Sequence, residues 1–260
     1  MGRVTREAEF DRRSAALAEV ARTRFSSLVL LGSSAPAAAA RRDEWSDHDF
    51  FLLAQPGQES AVRDVAAWLP DPERLVLVAR EGEIGFAAVY DDGHVFEFAA
   101  ATAEELAGAL ATEDVGIPVD DGTAAALLAA AQERVGSMPE PDAVNEASLV
   151  LVKLLIGVGR ARRGETLVAG QFVHAWAVNH LARAVRARMP VEGSVRDAID
   201  PVRRFERDYP ELGSALRRVL GAPVEEAARG LFDMLRSTLE PGWDDFPTRA
   251  ADVVAGRLGW

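Results

Sequence analysis

Between residues 7 and 24 the apolar positions Phe10, Ala15, Leu17, Val20 and Ala21 recur at the spacing of one helix face, which predicts an opening amphipathic helix. Ser27-Leu28-Val29-Leu30-Leu31 is a short apolar run stopped by Gly32, the pattern of a buried strand entering a tight turn. An Ala-rich loop follows, then a second buried strand over residues 49–54, a helix over 58–68 and a third strand over 74–78. Residues 85–90 and 94–100 flank Asp91-Asp92-Gly93, whose Asp-Gly pair suits the positive-φ positions of a hairpin turn. Together these segments predict a small mixed sheet with helices around it.

Beyond Leu106 the strand signals end, and residues 136–142 read as a linker through Gly136, Pro139 and Pro141. Helical periodicity then covers residues 144–163, 171–189, 211–220, 224–239 and 248–258. The expected fold class is therefore α/β in the α+β sense: a mixed-sheet domain over residues 1–137, followed by an α-helical bundle domain over 138–260. A chain of 260 residues is comfortable for two domains, and no internal repeat interrupts this division.

Composition narrows the chemistry. With no cysteine, disulfides, thiolate zinc sites and cysteine nucleophiles are excluded, leaving carboxylate, imidazole and phosphate chemistry. A net charge of -12 argues against a nucleic-acid surface, which needs many Lys and Arg, and suits a cationic small substrate; acidity that only maintains solubility is the plainer account. No run approaches the roughly 20 apolar residues of a membrane span, and residues 1–7 lead into charge rather than an apolar signal core, so a cytoplasmic protein with no membrane partner is expected.

The chemistry concentrates in Gly32-Ser33, thirteen further residues, and then Asp47-His48-Asp49, preceded by Ser46. Residues i and i+2 of a strand share a face, so Asp47 and Asp49 can present two carboxylates side by side. Such a pair repels itself unless a cation lies between, and an all-oxygen ligand set favours Mg²⁺. Gly32 allows close backbone approach, and Ser33 offers a hydroxyl and an N–H to a phosphate oxygen. Glu97, between Phe96 and Phe98, alternates away from both rings and can supply a third acid. The plainer accounts are turn acids for Asp47 and Asp49 and an edge-strand surface acid for Glu97. His48 should point away from both acids, packed or hydrogen-bonded rather than acting as a ligand.

Leu31, Gly32, Ser33, Asp47, Asp49 and Glu97 resemble the signature of the nucleotidyltransferase superfamily: an apolar residue, Gly-Ser, a spacer, Asp-x-Asp and a third acid on a later strand. Within it the chain looks like the antibiotic adenylyltransferases that act on aminoglycosides or lincosamides, which couple such a domain to a helical bundle. His48 stands where the family usually has an apolar residue, and Ser34-Ala35-Pro36 where it often has Ala-Arg-Gly. The resemblance implies transfer of AMP, or another nucleoside monophosphate, from ATP or a similar NTP to a hydroxyl of a small, cationic acceptor. Two Mg²⁺ ions would hold the triphosphate against Asp47 and Asp49, with Glu97 as metal ligand or general base and Gly32, Ser33 and Ser46 on the nucleotide side. Two alternatives share the fold: a nucleotidyltransferase that modifies a protein side chain, as in toxin and antitoxin pairs, and a nucleotide-binding module that no longer catalyses.

Lys153 is the sole lysine of the chain and interrupts an apolar helix. Glu146, Lys153, Gly157 and Arg160 share one helical face. That stripe either faces solvent or lines a cleft where Lys153 touches the β- or γ-phosphate, and the compact ammonium suits the second role.

Overall fold

Helix α1 (Arg3–Arg24) buries Phe10, Leu17 and Ala21 of the predicted stripe together with Ala18, while Val20 is half-buried and Ala15 exposed. Strands β1 (Ser27–Leu31), β2 (His48–Ala54), β3 (Leu75–Glu81), β4 (Gly85–Tyr90), β5 (Val95–Thr102) and β6 (Val115–Val119) form one sheet in the order β3-β4-β5-β2-β1-β6. β2 and β5 run parallel and the other neighbours antiparallel, so the sheet is mixed. The structure, a computed structural model, describes residues 3–111, 114–191 and 200–260. By its contacts the chain divides into two compact units, Met1–Ser137 and Met138–Trp260.

Side-chain alternation gives the sheet of the first unit two different faces. Phe50, Leu52, Phe86, Ala88, Phe96 and Phe98 pack with Leu17, Ala21 and Trp68 on one side. On the other, Val29, Leu53 and Ala101 pack against helix α3 (Thr123–Gly136) through Leu127, Leu128 and Ala131. Asp49 and Glu97 belong by alternation to this second face.

Three sequence expectations change. Strand signals do not end at Leu106: β6 adds to the edge of β1, where Pro118 is tolerated and where a Cβ on Gly116 would stand 2.5 Å from Pro36 Cδ. The Ala-rich residues after it, unassigned from the pattern, form α3, whose first turn is held by Asp120 accepting from the Gly122 and Ala124 amides. The helix expected over 58–68 shrinks to α2 (Glu59–Arg63) and a 3₁₀ turn, Val65–Ala67, because the Trp68 indole N–H takes the Val62 carbonyl at 2.8 Å that a continuing helix would need.

Among its described residues the second unit has helices joined by loops and no strand. Asp142 caps α4 (Ala143–Arg162) by accepting from the Val144 and Asn145 amides. After α5 (Thr166–Gly170), the segment expected to be one helix from 171 to 189 is a π-helical stretch (Gln171–Ala177) followed by α6 (Val178–Arg188). α7 (Phe205–Asp208), α8 (Pro210–Leu220), α9 (Val224–Leu239) and α10 (Thr248–Leu258) complete it. The core joins Val150, Leu154, Leu181, Leu231, Leu235 and Val254.

Along the polar stripe of α4, Gly157 is buried and Glu146 and Lys153 are half-buried, while the Arg160 side chain is 42 % exposed. Glu146 accepts from His180 at 2.7 Å, Arg160 pairs with Glu165, and Gly157 is buried, whereas Val152 and Ile156 are exposed. At Gly157 an added Cβ would lie 2.7 Å from Val173 Cγ2 and 3.1 Å from Phe172 Cβ; at Gly159 it would meet only the flexible end of Arg163, at 3.7 Å. Overpacking costs about 1–3 kcal/mol, against about 1 kcal/mol gained when Ala replaces Gly inside a helix. Gly157→Ala is therefore expected to lower the melting temperature and Gly159→Ala to raise it, a difference of sign that scanning calorimetry reads directly.

Candidate metal centre

The acids are set by a turn, a strand and a buried histidine. β1 ends at Leu31, and Gly32 follows with φ of 51°, a conformation L side chains rarely adopt. A Cβ there would stand 3.5 Å from Asp49 Oδ2, so the carboxylate lies directly over the glycine. The Gly32 amide donates to the Asp114 carbonyl at 3.0 Å, which ties the turn to the segment entering β6.

Two consecutive serines then hold the backbone on either side of His48. Ser33 and Ser34 hydroxyls both donate to the Asp47 carbonyl at 3.3 Å, and Ser34 Oγ accepts from the Asp49 amide at 2.9 Å. Arg42 closes the loop from behind: Nε donates to the Ser33 carbonyl at 2.8 Å, Nη2 to the Ser34 carbonyl at 3.2 Å, and Nη1 to Asp11 at 2.8 Å, with the guanidinium over the Phe10 ring.

On the opposite side of β2, His48 is fully buried and stacks on Phe10 at 3.7 Å between centroids. Its Nε2 is 2.9 Å from Ser14 Oγ and its Nδ1 2.6 Å from His94 Nε2. Because the Ser14 hydroxyl donates to the Phe10 carbonyl, it accepts from His48 Nε2–H, and His48 Nδ1 accepts from His94 Nε2–H. Burial first, then the charges of His94, Arg13 and Arg42, push the His48 pKa down to about 2; burial and then Arg13 push His94 down to about 4. Both rings are neutral near pH 7. His48 is thus packed and hydrogen-bonded away from the acids, as alternation predicts.

The structure brings Asp47, Asp49 and Glu97 together. One ligand oxygen from each lies within 4.8 Å of the others, because parallel pairing puts Glu97 directly beside Asp49. Glu97 is exposed, so its carboxylate carries no burial cost. Three negative charges at this spacing repel one another, and a hard divalent cation among them replaces repulsion by attraction. The donor set is all oxygen and partly open to solvent, which fits Mg²⁺ or a similar ion that keeps some of its waters.

Two other expected residues have these neighbours. The Ser46 hydroxyl accepts from the Asp43 amide at 3.0 Å and closes a turn before β2. Lys153 belongs to the second unit, with its ammonium over the rings of Trp176 at 5.5 Å and Phe172 at 5.9 Å. Sequence reasoning missed Ser34 and Arg42, which fix the acids' backbone; Ser34, next to the Gly-Ser pair, was the visible signal. No protein-family model matches the chain, and no curated protein matches it.

Proposed function

We propose that this protein is a metal-dependent nucleotidyltransferase that moves AMP, or another nucleoside monophosphate, from ATP or a similar NTP onto a hydroxyl of a small, cationic molecule of the aminoglycoside or lincosamide kind. The observation that carries the proposal is the convergence of Asp47, Asp49 and Glu97 on one sheet face beside the Gly32-Ser33 turn. When bound, Mg²⁺ would supply Lewis-acid stabilisation of the attacking and departing oxygens of an in-line displacement at the α-phosphorus. Asp47 and Asp49 hold that charge in place. Gly32, lacking a side chain, lets the backbone approach the phosphates, and Ser33 offers them a donor. Glu97 completes the ligand set or accepts the proton of the acceptor hydroxyl.

The net charge of -12 supports a cationic acceptor and counts against nucleic acid as partner. Among the described residues no helix is long and apolar enough to cross a membrane. A cytoplasmic antibiotic-modifying role accords with both observations.

The test is to incubate the protein with Mg²⁺, each NTP in turn and a panel of aminoglycosides and lincosamides, and to read added mass by mass spectrometry. A gain of one nucleoside monophosphate on a cationic acceptor is expected. Modification of a protein side chain alone, or none of any acceptor, would overturn the proposal. With an acceptor in hand, Lys153→Ala should raise the KM for ATP or lower kcat while leaving the acceptor KM unchanged, and Lys153→Arg should restore the loss only in part.

A further inference from the structure

β4 buries Phe86, Ala88 and Tyr90, but β3, the strand beyond it, has no buried residue. Val76 is 68 % exposed, Leu77 53 % and Val78 36 %, and by alternation these apolar side chains stand on both faces of the sheet. β3 is also an edge, so alternate N–H and C=O groups along it point away from β4, and no described strand lies beyond to meet them. The other edge is managed differently: β6 carries Pro118, which offers no N–H, and Pro36 packs close against Gly116. Residues Leu75 to Ala79 of β3 include no charge and no proline, two devices that keep an edge strand single. The register shift against β4 is confined to the start of the strand, and Leu77 to Glu81 pair regularly.

The strand is complementary to itself. Two copies related by a twofold axis pair antiparallel, and each residue then opposes one that lies on the same face of the sheet. Centred on Val78, the pairing spans all seven residues: Leu77 opposes Ala79 of the second copy, Arg80 opposes its Val76 and Glu81 its Leu75. The stems of Arg80 and Glu81 then cover apolar side chains, and no like charges meet within the strand. Centring on Leu77 instead would set Arg74 against Arg80 of the second copy, and centring on Arg80 or Glu81 would set each against itself. Centring on Ala79 pairs only five residues of the strand.

We propose that β3 is the interface of a homodimer in solution, in which two copies join edge to edge, with Val78 at the twofold axis, into one continuous sheet. This register is what favours a second copy over a foreign strand. The pairing is independent of the nucleotide reading, and it joins edges rather than faces, so it leaves the face that carries Asp49 and Glu97 uncovered. With β5 two strands in from the seam, the Glu97 strands of the two copies lie roughly 24 Å apart, and each copy keeps its own set of acids.

The chain has no cysteine, so a single introduced thiol reports only on its mate in the second copy. Opposed residues of an antiparallel pair have Cα atoms about 4.5–5.5 Å apart, within disulfide reach, whereas this register puts the two Val76 positions more than about 13 Å apart. Under mild oxidation of the full chain, Val78→Cys should form a disulfide-linked dimer at least about tenfold faster than Val76→Cys. Random collision would give the opposite order, because Val76 is the more exposed of the two. Sedimentation velocity should show the parent as a dimer, and Val78→Lys, which sets two ammonium groups against each other at the axis, as a folded monomer with an unchanged far-ultraviolet circular dichroism spectrum. A parent that is monomeric at about 100 μM, linking through Val76→Cys as fast as through Val78→Cys, or a dimer that survives Val78→Lys would each overturn the proposal.

Discussion

Asp47→Asn and Asp49→Asn should each cut transferase turnover by two or more orders of magnitude while leaving the melting temperature in metal-free buffer unchanged or higher. Removing one carboxylate from a charge-stabilising site costs at least about 3 kcal/mol of transition-state stabilisation. Stability moves the other way, because each substitution keeps the side-chain shape and deletes one of three negative charges whose ligand oxygens lie within 4.8 Å of one another. The backbone on both sides of His48 stays anchored by Ser33 and Ser34, which bind main-chain atoms rather than the acids' side chains. Added Mg²⁺ should raise the melting temperature of the parent protein and not of the variants. Turnover retained in either variant would sink the metal assignment.

Acid should destabilise the first unit well before its carboxylates titrate. His48 and His94 have folded pKa values pushed down to about 2 and about 4, from an ordinary 6.5. Below pH 6.5 the unfolded chain takes up protons that the folded one refuses. The stability these rings contribute is therefore present above pH 6.5 and is lost as pH falls, down to their folded values. Each ring adds a slope of about 1.4 kcal/mol per pH unit, so the two together remove roughly 4 kcal/mol between pH 7 and 5, a large part of a domain's stability. Nearer pH 4 Glu9 joins them: hydrogen bonding by Arg12 holds its carboxyl down at about 2, and that contribution fades below its ordinary value of 4.5. Calorimetry at pH 7, 6 and 5 should show a falling transition, with about half the slope in His94→Gln. A transition independent of pH over that range would refute the account.

What the sequence discloses follows from how local each signal is. α9 and α10 match their expected limits because apolar spacing alone defines them. The same holds for β1 and β4, short apolar runs bounded by Gly. β6 was hidden because its place depends on pairing with β1 and on the Gly116 contact with Pro36, neither visible as a pattern. The α2 break lies in one tertiary hydrogen bond from Trp68. At the candidate site, the strand period of two made the shared face of Asp49 and Glu97 legible. The roles of Arg42, Ser14 and His94 were not, since each depends on residues separated by long stretches of chain meeting in space. The stripe on α4 was read correctly as one face; which way it turned depended on Gly157 and the segment packed over it.

The parallel pairing of β2 with β5 has a consequence for the order of events as the chain folds. Asp49 and Glu97 become neighbours only after the chain has passed through α2, β3 and β4 and returned, whereas the antiparallel pairings of β3 with β4 and β4 with β5 close over short turns. Closing that loop carries a larger entropy cost than closing either turn and raises the contact order of the sheet. Like charges meet at that seam as it shuts. A divalent cation would find its full ligand set only in chains that have already made this closure, so it would act as a latch on the finished sheet, slowing unfolding and leaving the rate of folding unchanged.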